Sequence, residues 1–208
     1  MADILLDAQV SPVTPATGQA VIYIDSTLKR LMTKDDAGFV GGHFQNASIA
    51  NQTPTAATRT YVTGSALKIS KNKLQVGSMF RWKVTMTKTA AGVAASTITI
   101  AVGTAGTTAD TDRLTFTKPL GTAVVDEGVF EVFATVRSIG ASGIVVGEFT
   151  MIHNLATTGH MAQQVACSLV TSAGFDMTVA DLIVGLTITT GAADAITISV
   201  VHAEALNA

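Results

Sequence analysis

The alternation across residues 79–102, MFRWKVTMTKTAAGVAASTITIAV, constrains this chain more than any other feature. Phe80, Trp82, Val84 and Met86 fall on one side of an extended strand, and Arg81, Lys83, Thr85 and Thr87 on the other. Period 2 of this strictness belongs to a strand with one face in a core and one in water. After the small residues 89–96 the pattern resumes at Ile98, Ile100 and Val102, so the two runs read as an antiparallel hairpin. Each large apolar side chain buried this way contributes ~1.5–3 kcal/mol. One hairpin is not stable alone, so further strands must cover it.

The rest of the chain supplies them. Residues 61–69 read as a strand with Gly64 as a bulge, and residues 71–73 as a charged turn. Leu114 and Phe116 alternate with Arg113, Thr115 and Thr117 until Pro119. Phe130, Val132, Ala134 and Val136 line one face of the next run, with Glu131, Phe133, Thr135 and Arg137 opposite. Residues 138–143, SIGASG, turn the chain back into residues 144–153, and residues 164–171 add another strand. Leu182, Val184, Leu186 and Ile188 precede a turn at residues 191–194, after which Ile196, Ile198 and Val200 return towards His202. About nine short strands without a helical period point to a sandwich or barrel. The expected fold is all-β, a jelly-roll-like antiparallel β-sandwich over residues 59–208.

Residues 1–58 read differently. Pro12 and Pro15 fix an extended course and remove backbone donors, which suits an arm. Residues 19–40 have the composition of a small β-hairpin, too small to be stable alone. Residues 41–58 are small and polar, with Pro54 near the end, and read as a linker. Asn46 and Asn51 match a glycosylation pattern by chance, because MADILLDAQV lacks the basic start of a secretory signal.

Charged residues make up only 13% of the chain, against an average of about 25% in soluble domains. This fits a protein that hides surface against partners, or a compact β protein with a Thr-rich exterior. A net charge of −2 gives no field for nucleic acid, and no run reaches the ~18–20 apolar residues of a membrane helix. The single Cys167 excludes a disulfide framework and reads as a buried structural thiol made in a reducing cytoplasm.

Catalytic patterns are sparse. His43, His153, His160 and His202 are far apart in sequence, without a metal-binding spacing. Asp110 and Asp112 form a D-x-D pair lacking the further donors of a calcium loop, and Asp126-Glu127 reads as a turn. The Gly103–Gly106 loop lacks the lysine and helix of a phosphate cradle. No cofactor or metal is expected. Lys68, Lys71, Lys73, Arg81 and Lys83 form one basic group, read as the solvated face of edge strands. Trp82, on the apolar side of its strand, is no sugar platform.

The stretch GQAVIYIDSTLKRLMTKDDAG resembles the short N-terminal hairpin of tailed-bacteriophage virion proteins. YVTGSALKI, VGSMFRWKVTMTKTAAG, ATVRSIGASG and FTMIHNLATTG resemble the body of phage structural proteins of this size. The resemblance implies a non-enzymatic virion component, often a homotrimer of β-sandwiches with an extended arm. The leading expectation is a decoration or cement protein on the capsid exterior. It would bind the major capsid protein or other virion proteins, and neither nucleic acid nor membrane. The arm residues expected to touch partners are Pro12, Pro15, Val21, Tyr23, Ile24, Leu31 and Phe39. The alternative is a fibre or tail-tip subunit binding a host receptor through residues 104–112 or 156–161. A hydrolase ranks last; it would need a carboxylate pair from Asp126, Glu127, Glu131 and Glu148.

Overall fold

A computed structural model describes residues 8–9, 12–26, 31–35, 40–41, 44–178, 180–191 and 195–208. The chain divides into two compact units, Met1–Phe44 and Gln45–Ala208. The described residues are strands, turns and loops, without a helix.

The first unit is a four-stranded sheet ordered β1-β2-β3-β4, from β1 (Ala8–Gln9), β2 (Ala20–Asp25), β3 (Leu31–Asp35) and β4 (Val40–Gly41). The expected hairpin is the antiparallel β2–β3 pair, with Tyr23 opposite Met32. The arm before it is drawn into the same sheet. Ala8 and Gln9 pair parallel with Ile24 and Asp25, and Lys34 Nζ donates to the Pro12 carbonyl at 2.7 Å.

The second unit is an antiparallel sandwich. One sheet contains β6 (Thr60–Tyr61), β7 (Leu67–Ile69), β9 (Ser96–Gly103), β10 (Thr111–Lys118) and β14 (Leu182–Thr189). Its order is β10-β9-β14-β6, with β7 also on β14. The other sheet is ordered β13-β12-β11-β8-β15-β5. Its strands are β5 (Phe44–Ser48), β8 (Met79–Lys88), β11 (Asp126–Ser138), β12 (Ile144–His153), β13 (Val165–Thr171) and β15 (Ile196–Leu206). The pairs β8/β15 and β9/β14 are nested, one per sheet, in the jelly-roll manner. A β9–β10 hairpin and a β11–β12–β13 meander complete the sheets.

Alternation places the core as expected. Phe80, Trp82, Val84 and Met86 are buried, and in register Trp82 lies between Val132 and Ala203 while Phe80 lies between Ala134 and Ala205. Large side chains thus sit beside small ones within the layer, which allows dense packing. Phe149 reaches across to Phe116 of the other sheet, ring centroids 6.0 Å apart. Trp82 Nε1 donates to the Ser65 carbonyl at 2.8 Å, so its polar atom is satisfied inside the core.

Several expectations are corrected. β8 and β9 do not form a hairpin: they lie in different sheets, and residues 89–95 carry the chain across the core. Alternation shows which face of a strand is buried, not which strand pairs with it. Residues 45–58 are not a linker. β5 pairs on β15, Gln52 exchanges two backbone hydrogen bonds with Ile198 at 2.9 Å each, and Ala57 N donates to the Thr190 carbonyl at 2.7 Å. The unit boundary accordingly falls at 44/45 rather than 58/59. Residues 61–69 are two short strands split by a turn at Gly64. In β15 the register shifts between Ile198 and Val200, so Val201, Ala203 and Ala205 face the core while Val200 does not. Cys167 is exposed, because β13 is the last strand of its sheet and the thiol points away from the other layer.

Candidate functional site

The outer face of the six-stranded sheet carries a groove of about 890 Å³. The alternation that buries Trp82 turns Lys83, Thr85 and Thr87 outward, and register sets them opposite Glu131, Val129 and Glu127 of β11. On β12, Thr150 lies opposite Glu131 and Ile152 opposite Val129. A second row runs Glu204, Arg81, Phe133, Glu148, Leu169 from β15 to β13. A smaller hollow of about 460 Å³ adjoins there and shares Phe133 and Glu148.

One acid of the groove, Glu131, draws two cations. Glu131 Oε1 lies 3.5 Å from Arg81 Nη2 and 3.6 Å from Lys83 Nζ, and Arg81 Nη1 lies 3.4 Å from Glu204. The Arg81 guanidinium also stands 5.2 Å from the centroid of the Phe133 ring. The expected basic group therefore does not form. β8 is a central strand, so each of its cations has acids on neighbouring strands, and Lys68 lies 3.6 Å from Asp181.

Of the acids weighed for hydrolysis, Glu127, Glu131 and Glu148 line the groove, while Asp126 faces inward. Asp126 opens β11 rather than forming a turn. Its carboxylate accepts from His160 N at 2.8 Å and Glu127 N at 2.9 Å, and stands 2.6 Å from His153 Nδ1. Burial alone would raise its pKa; the His160 N–H, the His153 ring and the Glu127 N–H outweigh it and hold the carboxyl below its usual range. His153 Nε2 lies 2.7 Å from the Gln163 carbonyl. The His160 ring stands edge-on to His153 at 6.2 Å, fully buried, with neither nitrogen hydrogen-bonded. Burial first, and the Lys118 ammonium second, push its pKa down to about 4.

Two buried lysines complete this knot. Lys118 Nζ donates to the carbonyls of Pro119 and His160 at 2.8 Å each, and burial brings its pKa down to about 8. Lys88 Nζ donates to the carbonyls of Thr122 and Val124. These contacts bind residues 119–124 and 159–163 to the sandwich. Sequence reading missed the knot because its members come from four strands and one loop, and buried lysines defy the usual rule.

The expected receptor loops are similarly tied down. His160 and Met161 are buried, so only part of residues 156–161 is open. In residues 104–112, Asp110 accepts from Ala105 N at 2.9 Å and Gly106 N at 2.8 Å, and Arg59 pairs with Asp112. The D-x-D pair is thus committed to holding its loop. Among the described residues no group of His, Cys, Asp and Glu stands placed to hold a metal ion.

The expected partner residues lie in the first unit. Pro12, Pro15, Val21 and Ile24 are half-buried, and Tyr23 is buried. Val13 and Ile22, which the expectation passed over, are exposed. Leu31 starts β3, its side chain lying outside the described residues, as does Phe39 entirely.

No protein-family model matches the chain, and no curated protein matches it. Among solved structures it is similar to a legume lectin-like domain from Entamoeba histolytica, at 11% identity and a TM-score of 0.26, covering 76% of this chain and 89% of that one. It is also similar to a fructofuranosidase from Schwanniomyces occidentalis complexed with fructose, at 9% identity and a TM-score of 0.24, covering 86% of this chain and 37% of that one. Likenesses this slight say nothing of what the groove holds.

Proposed function

We propose that the chain is a non-enzymatic structural protein of a phage virion, a decoration or cement protein on the capsid exterior. One observation carries this reading: large aliphatic side chains are left exposed in groups. Val93, Leu120, Val124 and Val125 gather where two loops meet, joined by the hydrogen bond from Gly121 N to the Val93 carbonyl at 2.8 Å. Ile152, Val165 and Leu169 form a second group across β12 and β13. Groups of this kind mark surfaces that other subunits cover. Two of the four acids weighed for hydrolysis have structural partners instead: Asp126 holds the buried knot and Glu131 is shared by two cations. The fastening role proposed for the leading segment belongs to the first unit, residues 1–44, since residues 45–58 are part of the body.

The second reading, a fibre or tail-tip subunit, is favoured by the groove, whose open Glu148, Thr150 and Ile152 present carboxylate, hydroxyl and aliphatic groups to a receptor. Antibody labelling of intact particles separates the two. Label over the head shell is expected, label confined to the tail tip favours the second reading, and particles without label overturn both. Purified chain that blocks adsorption of phage to cells would also favour the second.

A further inference from the structure

We propose that the free edge of β13 pairs with β13 of a second copy, joining two six-stranded sheets edge to edge across a twofold axis. β13 ends its sheet, hydrogen-bonded to β12 on one side and, among the described residues, to no strand on the other. Its inner register is bounded by two hydrogen bonds, His153 N to the Gln164 carbonyl and Ser172 N to the Val145 carbonyl. Antiparallel alternation between them turns Ala166, Ser168 and Val170 towards β12. It leaves the N–H and C=O groups of Val165, Cys167, Leu169 and Thr171 directed at the open edge.

The body's other edges carry devices that discourage such pairing. β10 has Asp112, Arg113 and Lys118 and a register shift between Asp112 and Leu114. β6 and β7 are two and three residues long. β5 is overlaid by the Gly64 turn, so close that a Cβ on Gly64 would stand 2.6 Å from the Ala47 carbonyl carbon. β13 has none of these: it is seven residues long, without proline, charge or bulge. Leu169 is 72% exposed and Val165 50%.

Neutrality selects the occupant. From Phe149 to Phe175 the chain has no Asp, Glu, Lys or Arg, so this edge offers a foreign strand no charge to recognise, yet two copies meet without like-charge opposition. The strand is also self-complementary. About a twofold axis at Ser168, Val165 faces the partner's Thr171 and Cys167 faces the partner's Leu169, all seven residues being paired. Such an interface is isologous and closes at two copies. It stands independently of the virion reading.

The test is the mass of the full chain in solution, by sedimentation equilibrium over a hundredfold range of concentration. The expected species is a dimer of twice 21.4 kDa. Leu169→Lys, at an exposed position that leaves the core untouched, should give monomer throughout that range. Ile49→Lys, 86% exposed and just past β5 at the opposite edge of the sheet, should leave the dimer. Amide exchange supplies a readout on the unmodified chain, with Cys167 and Leu169 protected as strongly as Ser168. A monomeric chain, an oligomer indifferent to Leu169→Lys, or fast exchange at Cys167 and Leu169 overturns the proposal.

Discussion

His160 and Gly159 show how much of this fold rests on single residues that no pattern announces. A neutral His160 is accommodated in the core, but its unfolded counterpart takes up a proton near its ordinary pKa of 6.5, while the folded one resists until about 4. Between those values the unfolded state binds more protons, so stability falls as pH falls. The full loss, complete below pH 4, is about 3 kcal/mol. Asp126, whose folded pKa lies below its ordinary value, adds a further loss only under more acid conditions. Urea midpoints measured from pH 7 to pH 4 should therefore decline, and His160→Leu should flatten the decline. An unchanged slope in that variant would refute the assignment. Gly159 has φ +96°, and a Cβ there would stand 2.0 Å from Asp126 Oδ2. Gly159→Ala should cost about 3 kcal/mol, through both backbone strain and displacement of the carboxylate that holds the knot. Denaturant unfolding measures this directly, and an effect below about 1 kcal/mol would show that the loop relaxes freely.

At the scale of strands, β15 offers a sharper contrast than any core truncation. The register shift after Ile198 makes Val201, not Val200, the next core residue. Val201→Thr places a hydroxyl among apolar neighbours and should cost about 1–3 kcal/mol, whereas Val200→Thr should stay within about 0.5 kcal/mol. Equal effects would mean the strand runs in plain alternation. The bulge also marks the limit of what the sequence discloses. Period 2 in residues 80–86 and 130–136 correctly separated the buried faces from the wet ones, because that alternation is a direct image of burial. It held no information on pairing, which is why β8 and β9 were expected to lie side by side although they belong to different sheets. Nor did it disclose that Ser199 adds one residue to its strand. The groove was legible in part: Lys83 and Glu131 were visibly outward residues, but their opposition depends on the β8–β11 register. Cys167 misled for a different reason. Apolar neighbours in sequence suggested burial, while its place on an edge strand exposes it.

Over the whole chain, the two units differ in how much they bury. In the second unit a continuous double layer of aliphatic and aromatic residues separates the sheets, and β5–β15 share no sheet with β1–β4. In the first unit Tyr23 is the buried apolar residue among those described, and strands of two, six, five and two residues provide little more. A small sheet with so thin a core has low local stability and opens before the rest of the molecule. Amides of β2 and β3 should therefore exchange orders of magnitude faster than those of β8 and β11. Removing residues 1–41, which leaves β5 whole, should then shift the thermal midpoint of the sandwich by no more than a few degrees, since about 1 kcal/mol corresponds to 2–4 °C in a domain of this size. Calorimetry of both chains decides the matter. A fall of ten degrees or more on truncation would mean that the sandwich draws on the first unit for its stability. The first unit could not then be a separable fastening segment, because freeing it to hold a neighbour would loosen the body it is meant to anchor.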